Sequence, residues 1–283
     1  MVRSDGGLAV NAPPSSLEIS LDALRAYLDP IVERYERFDF IDEDPISIPH
    51  GFDDPADREV IGLFSALLAW GRRDLLLRKL EELCERMRFR PFEFVLGFDA
   101  GRDSSALRGF VHRTFSSDDA VWLCIALREV LRQHGSIENL FSSFLDPVSP
   151  EIGLGIEGMS STLLRSHPEM PRRMRKHLAR PSTGSACKRL CLYLRWMVRP
   201  GPVDLGVWTA IDKRLLLLPI DVHSGRQARA IGLLERKAND WRAVQELTRA
   251  CRQLDPDDPS RYDFAFFGTG SSGKTLDISE LTQ

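Results

Sequence analysis

Apolar residues recur at intervals of three and four positions along most of this chain, and this spacing limits the fold more than any other feature. Asp54 and Pro55 supply an N-cap and a first-turn proline, and the following Val60, Phe64 and Leu68 share one helical face. The same spacing predicts further helices over residues 17–40, 75–87, 117–134, 136–145, 150–165, 172–179, 184–198, 222–231, 239–253 and 259–268. Strand patterns do not alternate with helix patterns, so we predict an all-α fold.

Composition places the chain among globular proteins without a membrane anchor. Of its 283 residues, 43% are hydrophobic, which is enough for a substantial core in one large domain or two small ones. No apolar run is long enough to span a bilayer, and the N-terminus lacks the basic and then apolar pattern of an export signal. Residues 1–16 are rich in Gly, Ser, Pro and Ala and are predicted to be disordered. We expect a cytoplasmic protein that has no membrane partner.

The residue types that bind metals and clusters are not arranged as a clear site. The five cysteines stand at irregular spacing, at Cys84, Cys124, Cys187, Cys191 and Cys251. Their odd number argues against a disulfide framework and for a reducing cytoplasm, and they lack the spacing of a four-cysteine iron–sulfur cluster. His50, Asp53 and Asp54 could bind a metal, but a capped loop is the favoured interpretation. We therefore predict neither a metal nor a cofactor.

Charge is distributed unevenly along the chain. Between Arg165 and Arg199, ten Lys/Arg residues stand against a single acidic residue, Glu169, so this segment has a net charge of +9. Because the whole chain has a net charge of −3, the remainder carries −12. A basic block in an otherwise acidic protein is typical of a surface that binds a polyanion such as the nucleic-acid backbone. The alternative interpretation is a solvated helix with its counterions.

Two residues in separate segments are the main candidates for chemistry. Lys188 stands near the start of the predicted helix 184–198, after Gly184 and Ser185, whose backbone can approach a phosphate closely. On a helical wheel, Lys188 shares one face with Arg195 and Arg199, and we predict that this face follows a DNA strand. Lone surface lysines are usually solvated cations, so the assignment depends on this context.

Asp221 opens the segment Pro219-Ile-Asp-Val-His-Ser-Gly-Arg226 and precedes the predicted helix 222–231. Aspartate at this position is a good N-cap, so a purely structural role is one interpretation. The second interpretation is a carboxylate at a helix N-terminus that faces a substrate. The two interpretations are compatible.

The segment around Asp221 resembles the aspartate signature P-h-D-x-H-x-x-R of the helix-hairpin-helix DNA glycosylases. Gly184-Ser-Ala-Cys-Lys188 is similar to a degenerate form of their hairpin G-h-G-x-K, with alanine in place of the second glycine. The run from Asp57 to Arg73 resembles the helix and loop that open their core domain, and Arg261 to Gly268 resembles the closing helix. The separation of 33 positions from Lys188 to Asp221 is similar to the spacing in the archaeal 8-oxoguanine DNA glycosylase branch.

The resemblance over Asp44 to Gly270 is closer to an uncharacterised bacterial family, the domain of unknown function 2400. Two hallmark stretches carry it, Gly184-Ser-Ala-Cys-Lys-Arg189 and Leu194-Arg-Trp-Met-Val-Arg199. The glycosylase resemblance implies a two-lobed helical bundle. The expected central lobe spans 58–198 and ends in the hairpin and the Lys188 helix, and the expected terminal lobe combines 17–57 with 199–270.

The resemblance implies a monomeric base-excision DNA glycosylase, with or without AP-lyase activity, that removes a damaged base, for example an oxidised one, from duplex DNA. Lys188 would be the nucleophile and Asp221 the carboxylate that assists departure of the base. The implied nucleic-acid contacts are Gly184, Ser185, Arg189, Arg195, Arg199, Arg72 and Arg73. The implied supporting residues are His223, Arg226 and Trp70.

Two alternatives remain at this stage. The protein could bind nucleic acid without catalysis, or it could bind a nucleotide through Gly268-Thr-Gly-Ser-Ser-Gly-Lys-Thr275, which matches a P-loop literally. A P-loop also needs a parallel α/β sheet and a following helix, and only eight residues follow Thr275. We therefore interpret this motif as accidental and predict that 271–283 is a flexible tail.

Overall fold

The computed structural model describes residues 19–282 as a predominantly helical protein, which confirms the predicted all-α class. The predicted disorder of 1–16 concerns a segment outside the described residues. The helices are α1 (Leu21–Tyr35), α2 (Ser47–His50), α3 (Pro55–Leu68), α4 (Arg73–Arg86), α5 (Pro91–Leu96), α6 (Ala100–Asp103), α7 (Ser117–His134), α8 (Ile137–Ser142), α9 (Ile152–Arg165), α10 (Lys188–Val198), α11 (Val222–Ala230), α12 (Trp241–Leu254) and α13 (Tyr262–Ser271). A short antiparallel hairpin pairs β1 (Val111–His112) with β2 (Phe115–Ser116).

Local sequence explains where the best-predicted helices begin and end. The Asp54 side chain accepts a hydrogen bond from the backbone N–H of Ala56 at 2.9 Å, so α3 begins at the predicted cap. In α7 the Ser116 side chain caps Asp119 N–H, and the Asp119 carboxylate caps Ser116 N–H in return. Gly135, at φ +79°, then ends α7.

The helices pack in two groups that share one core. In the first group, α3 lies against α2, α5 and α10, and α7 lies against α5, α8 and α9. In the second group, α13 lies against α1 and α11, and α12 lies against α1. Although α2 belongs to the predicted terminal lobe, it packs on α3 because Ile46 and Pro49 are buried there. Buried side chains of both groups form one hydrophobic cluster.

The segment before α10 is not the predicted α-helix over 172–179. Residues Arg172–Lys176 and Pro181–Thr183 form two 3₁₀ turns instead. Pro171 is compatible with the start of a helix, whereas Pro181 disfavours a helical Arg180 and prevents the run from continuing into α10. Gly184 at φ +77° and Cys187 at φ +48° then turn the chain, so α10 begins at Lys188 rather than at 184.

The C-terminal segment is packed rather than flexible, so the predicted flexible tail over 271–283 is wrong at least as far as Leu276. The Leu276 side chain is only 3% exposed and belongs to the core cluster. Gln227 of α11 holds this segment at both ends: its Nε2 donates to the Lys274 carbonyl at 2.8 Å, and its Oε1 accepts from Leu276 N–H at 2.7 Å. Leu276 is therefore buried within the range of the predicted tail, and hydrogen bonds to Gln227 hold the backbone around it.

Two further observations concern the chain as a whole. Within residues 19–282, no helix combines the length and the apolar content needed to cross a membrane. All five cysteines are buried and free. Burial raises the pKa of the Cys84 and Cys187 thiols to about 12, so both thiols remain protonated and unreactive at neutral pH.

Candidate functional site

Lys188 and Asp221 meet at the N-terminal ends of two helices. Lys188 is the first residue of α10, and Asp221 is the N-cap of α11. The Lys188 Nζ lies 3.8 Å from Asp221 Oδ2, and the two side chains are 24% and 25% exposed. They are 33 positions apart in the sequence, so the tertiary fold, and not a local turn, brings the amine and the carboxylate together.

The two oxygens of Asp221 have different partners. Oδ1 accepts hydrogen bonds from the N–H groups of His223, at 2.8 Å, and Ser224, at 3.0 Å. Ser224 Oγ in turn accepts from Asp221 N–H, which completes a capping box. Oδ2 faces Lys188. The helix cap therefore fixes the carboxylate group in place while one oxygen remains available to a charged partner.

This pair lies in the wall of a cavity of about 850 Å³ between the two groups of helices. Aromatic side chains of Phe40, Trp70 and Phe267 provide much of its apolar lining. Lys188 Nζ and the Arg73 guanidinium lie 5.8 Å and 5.4 Å from the centre of the Phe267 ring, which is within reach of a cation–π contact. The cavity thus combines flat apolar walls with a small number of charges.

Two further carboxylates line the same cavity. Asp263 of α13 is buried and forms an ion pair with Arg195. Burial raises the pKa of Asp263 to about 7, although Arg195 opposes the shift. Burial also raises the pKa of Asp44, whose carboxylate accepts the Ile46 N–H at 3.1 Å. The Lys188 amine therefore has three carboxyl groups around its cavity, of which Asp221 lies within ion-pair distance.

The predicted phosphate-binding face of α10 is wrong at two positions, because Arg195 and Arg199 point into the protein. They are 3% and 4% exposed. Arg195 pairs with Asp204 at 3.2 Å and with Asp263, and Arg199 pairs with Asp258 at 2.9 Å, Asp204 at 3.1 Å and Glu36. Their guanidiniums also stack over Phe264. The helical wheel correctly grouped these residues, but the face is covered by α13 and the loop that follows α10.

Arg189 is also occupied inside the protein. Its guanidinium donates to the carbonyl oxygens of Leu67 and Lys176, each at 2.6 Å, and burial lowers its pKa. The residue ties the end of α3 and the 3₁₀ segment to the start of α10. Its contacts position the turn that carries Lys188, and Arg189 also lines the cavity.

Gly184 and Ser185 hold the turn before Lys188 in place. The Gly184 carbonyl accepts from Trp241 N–H at 3.1 Å, and Ser185 forms an isolated antiparallel bridge with Asp240. Ser185 Oγ accepts from Cys187 N–H at 3.2 Å. Gly184 itself is exposed, with open space where a Cβ would stand.

The remaining predicted residues differ in their relation to the cavity. Trp70, Arg73 and His223 line it, and Arg113 stacks over the Trp70 ring at 4.8 Å. Arg72 is exposed and pairs with Asp74 at 2.8 Å. Arg226 lies on the exposed side of α11.

Several cavity residues were not predicted from the sequence. Asp263 and Phe267 lie within the stretch that resembles a closing helix, which was the available signal. Asp44 stands in a loop and has no local signal. His177 is buried at the cavity edge, 3.4 Å from Asp119, and burial lowers its pKa to about 4.

The alternative metal and nucleotide motifs have structural explanations. His50 Nε2 lies 2.7 Å from the Val203 carbonyl, and Asp54 caps α3. No cluster of His, Cys, Asp or Glu within the described residues is arranged to hold a metal ion. The P-loop match begins inside α13, which ends at Ser271, so no phosphate-wrapping loop follows a strand there.

The fold and site define a predominantly helical protein with a lysine–aspartate pair in a cavity between two helix groups. The chain belongs to the family described as "Protein of unknown function (DUF2400)", which matches residues 44–272. The matched segment contains both Lys188 and Asp221. No curated protein and no solved structure matches the chain.

Proposed function

We propose that this protein is a DNA base-excision glycosylase, with or without AP-lyase activity, that uses Lys188 as its nucleophile. The observation that carries the proposal is the Lys188–Asp221 pair in the wall of the 850 Å³ cavity. A lysine amine and a fixed carboxylate are the two groups that displacement at a sugar C1′ requires.

The chemistry begins with the amine. One proton must leave the Lys188 ammonium, and Asp221 Oδ2 is the carboxylate oxygen within 3.8 Å. The amine then bonds to C1′ while the bond from C1′ to the base breaks, and the base leaves with the bonding electrons and takes up a proton. Opening of the sugar ring yields a Schiff base, which either hydrolyses or undergoes strand cleavage. Asp221 passes the Lys188 proton to solvent before displacement, so its carboxylate is again negatively charged and stabilises the developing oxocarbenium ion.

The cavity has the size and lining that a flipped nucleotide requires. Its volume falls within the usual range of small-molecule sites, about 300–1,000 Å³. A base that leaves the duplex is held mainly by stacking on aromatic side chains. Trp70 and Phe267 are the aromatic residues for this role, and Phe267 already lies beside Lys188. An oxidised base is the first class to test, given the spacing similarity to the 8-oxoguanine branch.

The second candidate is a nucleic-acid-binding protein without catalysis. One observation favours it: Asp221 is fully explained as the cap of α11, with Lys188 as its ion-pair partner. The two candidates differ in whether base release occurs. Incubation of the protein with duplexes that each carry one damaged base, followed by measurement of released base, tests the proposal. Release of none of these bases would favour the second candidate.

We expect Asp221→Asn to separate the structural role of this residue from its chemical role. Asparagine caps helices nearly as well as aspartate, so the free energy of unfolding should change by less than about 0.5 kcal/mol. The variant loses the negative charge beside Lys188, so single-turnover base release should fall on the order of 100-fold or more. Urea denaturation and rapid-quench kinetics measure the two effects.

Asp240→Asn is the matched control, because Asp240 caps α12 in the same way but does not line the cavity. It also pairs with Arg236, so its stability loss should be at least as large while base release is kept. Base release by Asp221→Asn at the wild-type rate would assign Asp221 a structural role only.

A further inference from the structure

A second, smaller pocket lies beside the cavity and is lined by four arginines. Arg165, Arg172, Arg175 and Arg180 surround a space of about 210 Å³. Arg165 ends α9, Arg172 and Arg175 belong to the 3₁₀ turn Arg172–Lys176, and Arg180 precedes Pro181. Since a 3₁₀ helix has three residues per turn, positions 172 and 175 lie on the same face.

The pocket has a large uncompensated positive charge. Its nearest carboxylate, Glu157, lies 3.7 Å from Arg180. The oxygens of Glu157 are already engaged by Ser182, through its N–H at 3.0 Å and its hydroxyl at 2.9 Å. Within residues 19–282, no ion pair includes Arg165, Arg172 or Arg175. Four guanidiniums against one carboxylate leave a net charge of +3, which attracts an anion.

The guanidinium N–H donors of the pocket indicate which class of anion it would bind. Guanidiniums present paired N–H groups that match the oxygens of phosphate, and several arginines around one space are typical of phosphate recognition. The pocket is large enough for one phosphate group with water. A phosphodiester therefore fits its size and charge.

The position of the pocket connects it to the cavity. The 3₁₀ turn that carries Arg172 and Arg175 continues into Lys176 and His177, which line the large cavity. A 3₁₀ segment rises about 2 Å per residue, so neighbouring residues of one short segment line the two sites. One nucleic-acid strand can therefore reach both.

We propose that Arg165, Arg172, Arg175 and Arg180 form a phosphate-binding pocket. It holds the backbone of the strand whose nucleotide enters the Lys188 cavity. This inference rests on the proposed function for the identity of the strand. In this proposal the nucleic-acid backbone binds the 3₁₀ segment Arg172–Lys176 and not the face of α10 that carries the buried Arg195 and Arg199.

The test uses the double variant Arg172→Gln/Arg175→Gln and the matched control Arg132→Gln/Arg242→Gln. All four side chains are exposed, and none forms an ion pair within the described residues. Fluorescence anisotropy with an undamaged 20-mer duplex between 50 and 200 mM salt gives Kd and its salt dependence. Removal of two phosphate contacts should flatten the slope of log Kd against log salt by about 1.8 and weaken binding at least about tenfold at low salt. The control should change neither quantity.

An unchanged slope in the double variant, or an equal change in the control, would overturn the proposal. Calorimetric titration with inorganic phosphate distinguishes a free-phosphate site. Phosphate binding that the double variant loses, together with unchanged DNA affinity, would also overturn it. These experiments distinguish failure of the phosphate-pocket proposal from failure of the proposed glycosylase function. Arginine-dependent DNA binding without base release would reject glycosylase activity alone, and base release with an unaltered salt slope would reject the pocket alone.

Discussion

Lys188→Gln is expected to abolish base release while it leaves DNA binding nearly intact. Glutamine keeps much of the side-chain length and its polarity but has no amine to bond to C1′, so the single-turnover rate should fall on the order of 1,000-fold or more. The Lys188 side chain faces the cavity and contacts Asp221, so its loss disturbs no backbone hydrogen bond. Anisotropy should give a Kd within about threefold of the wild-type value, since one phosphate contact at most is lost.

Lys176→Gln is the matched control for this change. Lys176 lines the same cavity, and its amine donates to the Thr114 carbonyl at 3.0 Å. Its replacement should leave base release within a few-fold of the wild-type rate. Normal release by Lys188→Gln would remove the nucleophile from the mechanism. A similar loss in both variants would indicate that the cavity needs positive charge rather than an amine.

Arg195→Ala is expected to destabilise the protein more than any surface substitution. The change leaves Asp263 buried without its ion-pair partner and leaves Asp204 with Arg199 alone, and removal of one member of a buried pair costs about 3–5 kcal/mol. It also removes the guanidinium that stacks on Phe264 at 4.3 Å. Urea denaturation measures the loss in the free energy of unfolding.

Arg172→Ala is the control for that measurement, because Arg172 is exposed and forms no ion pair within the described residues. Its effect should stay within about 0.5 kcal/mol. If Arg195→Ala changed stability as little as the control does, the buried network would not hold α10 and α13 together as the contacts indicate.

The sequence predicted helices best where caps and apolar spacing agreed. The helix predicted over 117–134 is α7 itself, with its capping box at one end and Gly135 at the other. The prediction failed over 172–179, where a basic run of helix-forming residues forms the 3₁₀ turn Arg172–Lys176 and Pro181 prevents its continuation into α10. It also failed for the C-terminal segment, because the burial of Leu276 depends on Gln227, 49 residues earlier.

The sequence predicted only part of the candidate site, because it does not show which distant residues pair in the folded chain. Family resemblance pointed to Lys188 and Asp221, and the structure places them 3.8 Å apart. A helical wheel cannot tell an exposed basic face from one paired with buried acids, so Arg195 and Arg199 were assigned to the surface. Their partners Asp204, Asp258 and Asp263 come from other segments and become visible only in the folded chain.

Borohydride trapping followed by peptide mapping tests the central claim most directly. A Schiff base between a lysine and the sugar is reduced to a stable secondary amine, so the protein becomes covalently attached to the damaged strand. With the panel of duplexes, we expect an adduct for at least one lesion, and mass spectrometry should locate it on the peptide that contains Lys188. An adduct on a different lysine, or no adduct together with no base release for any lesion, would contradict the account.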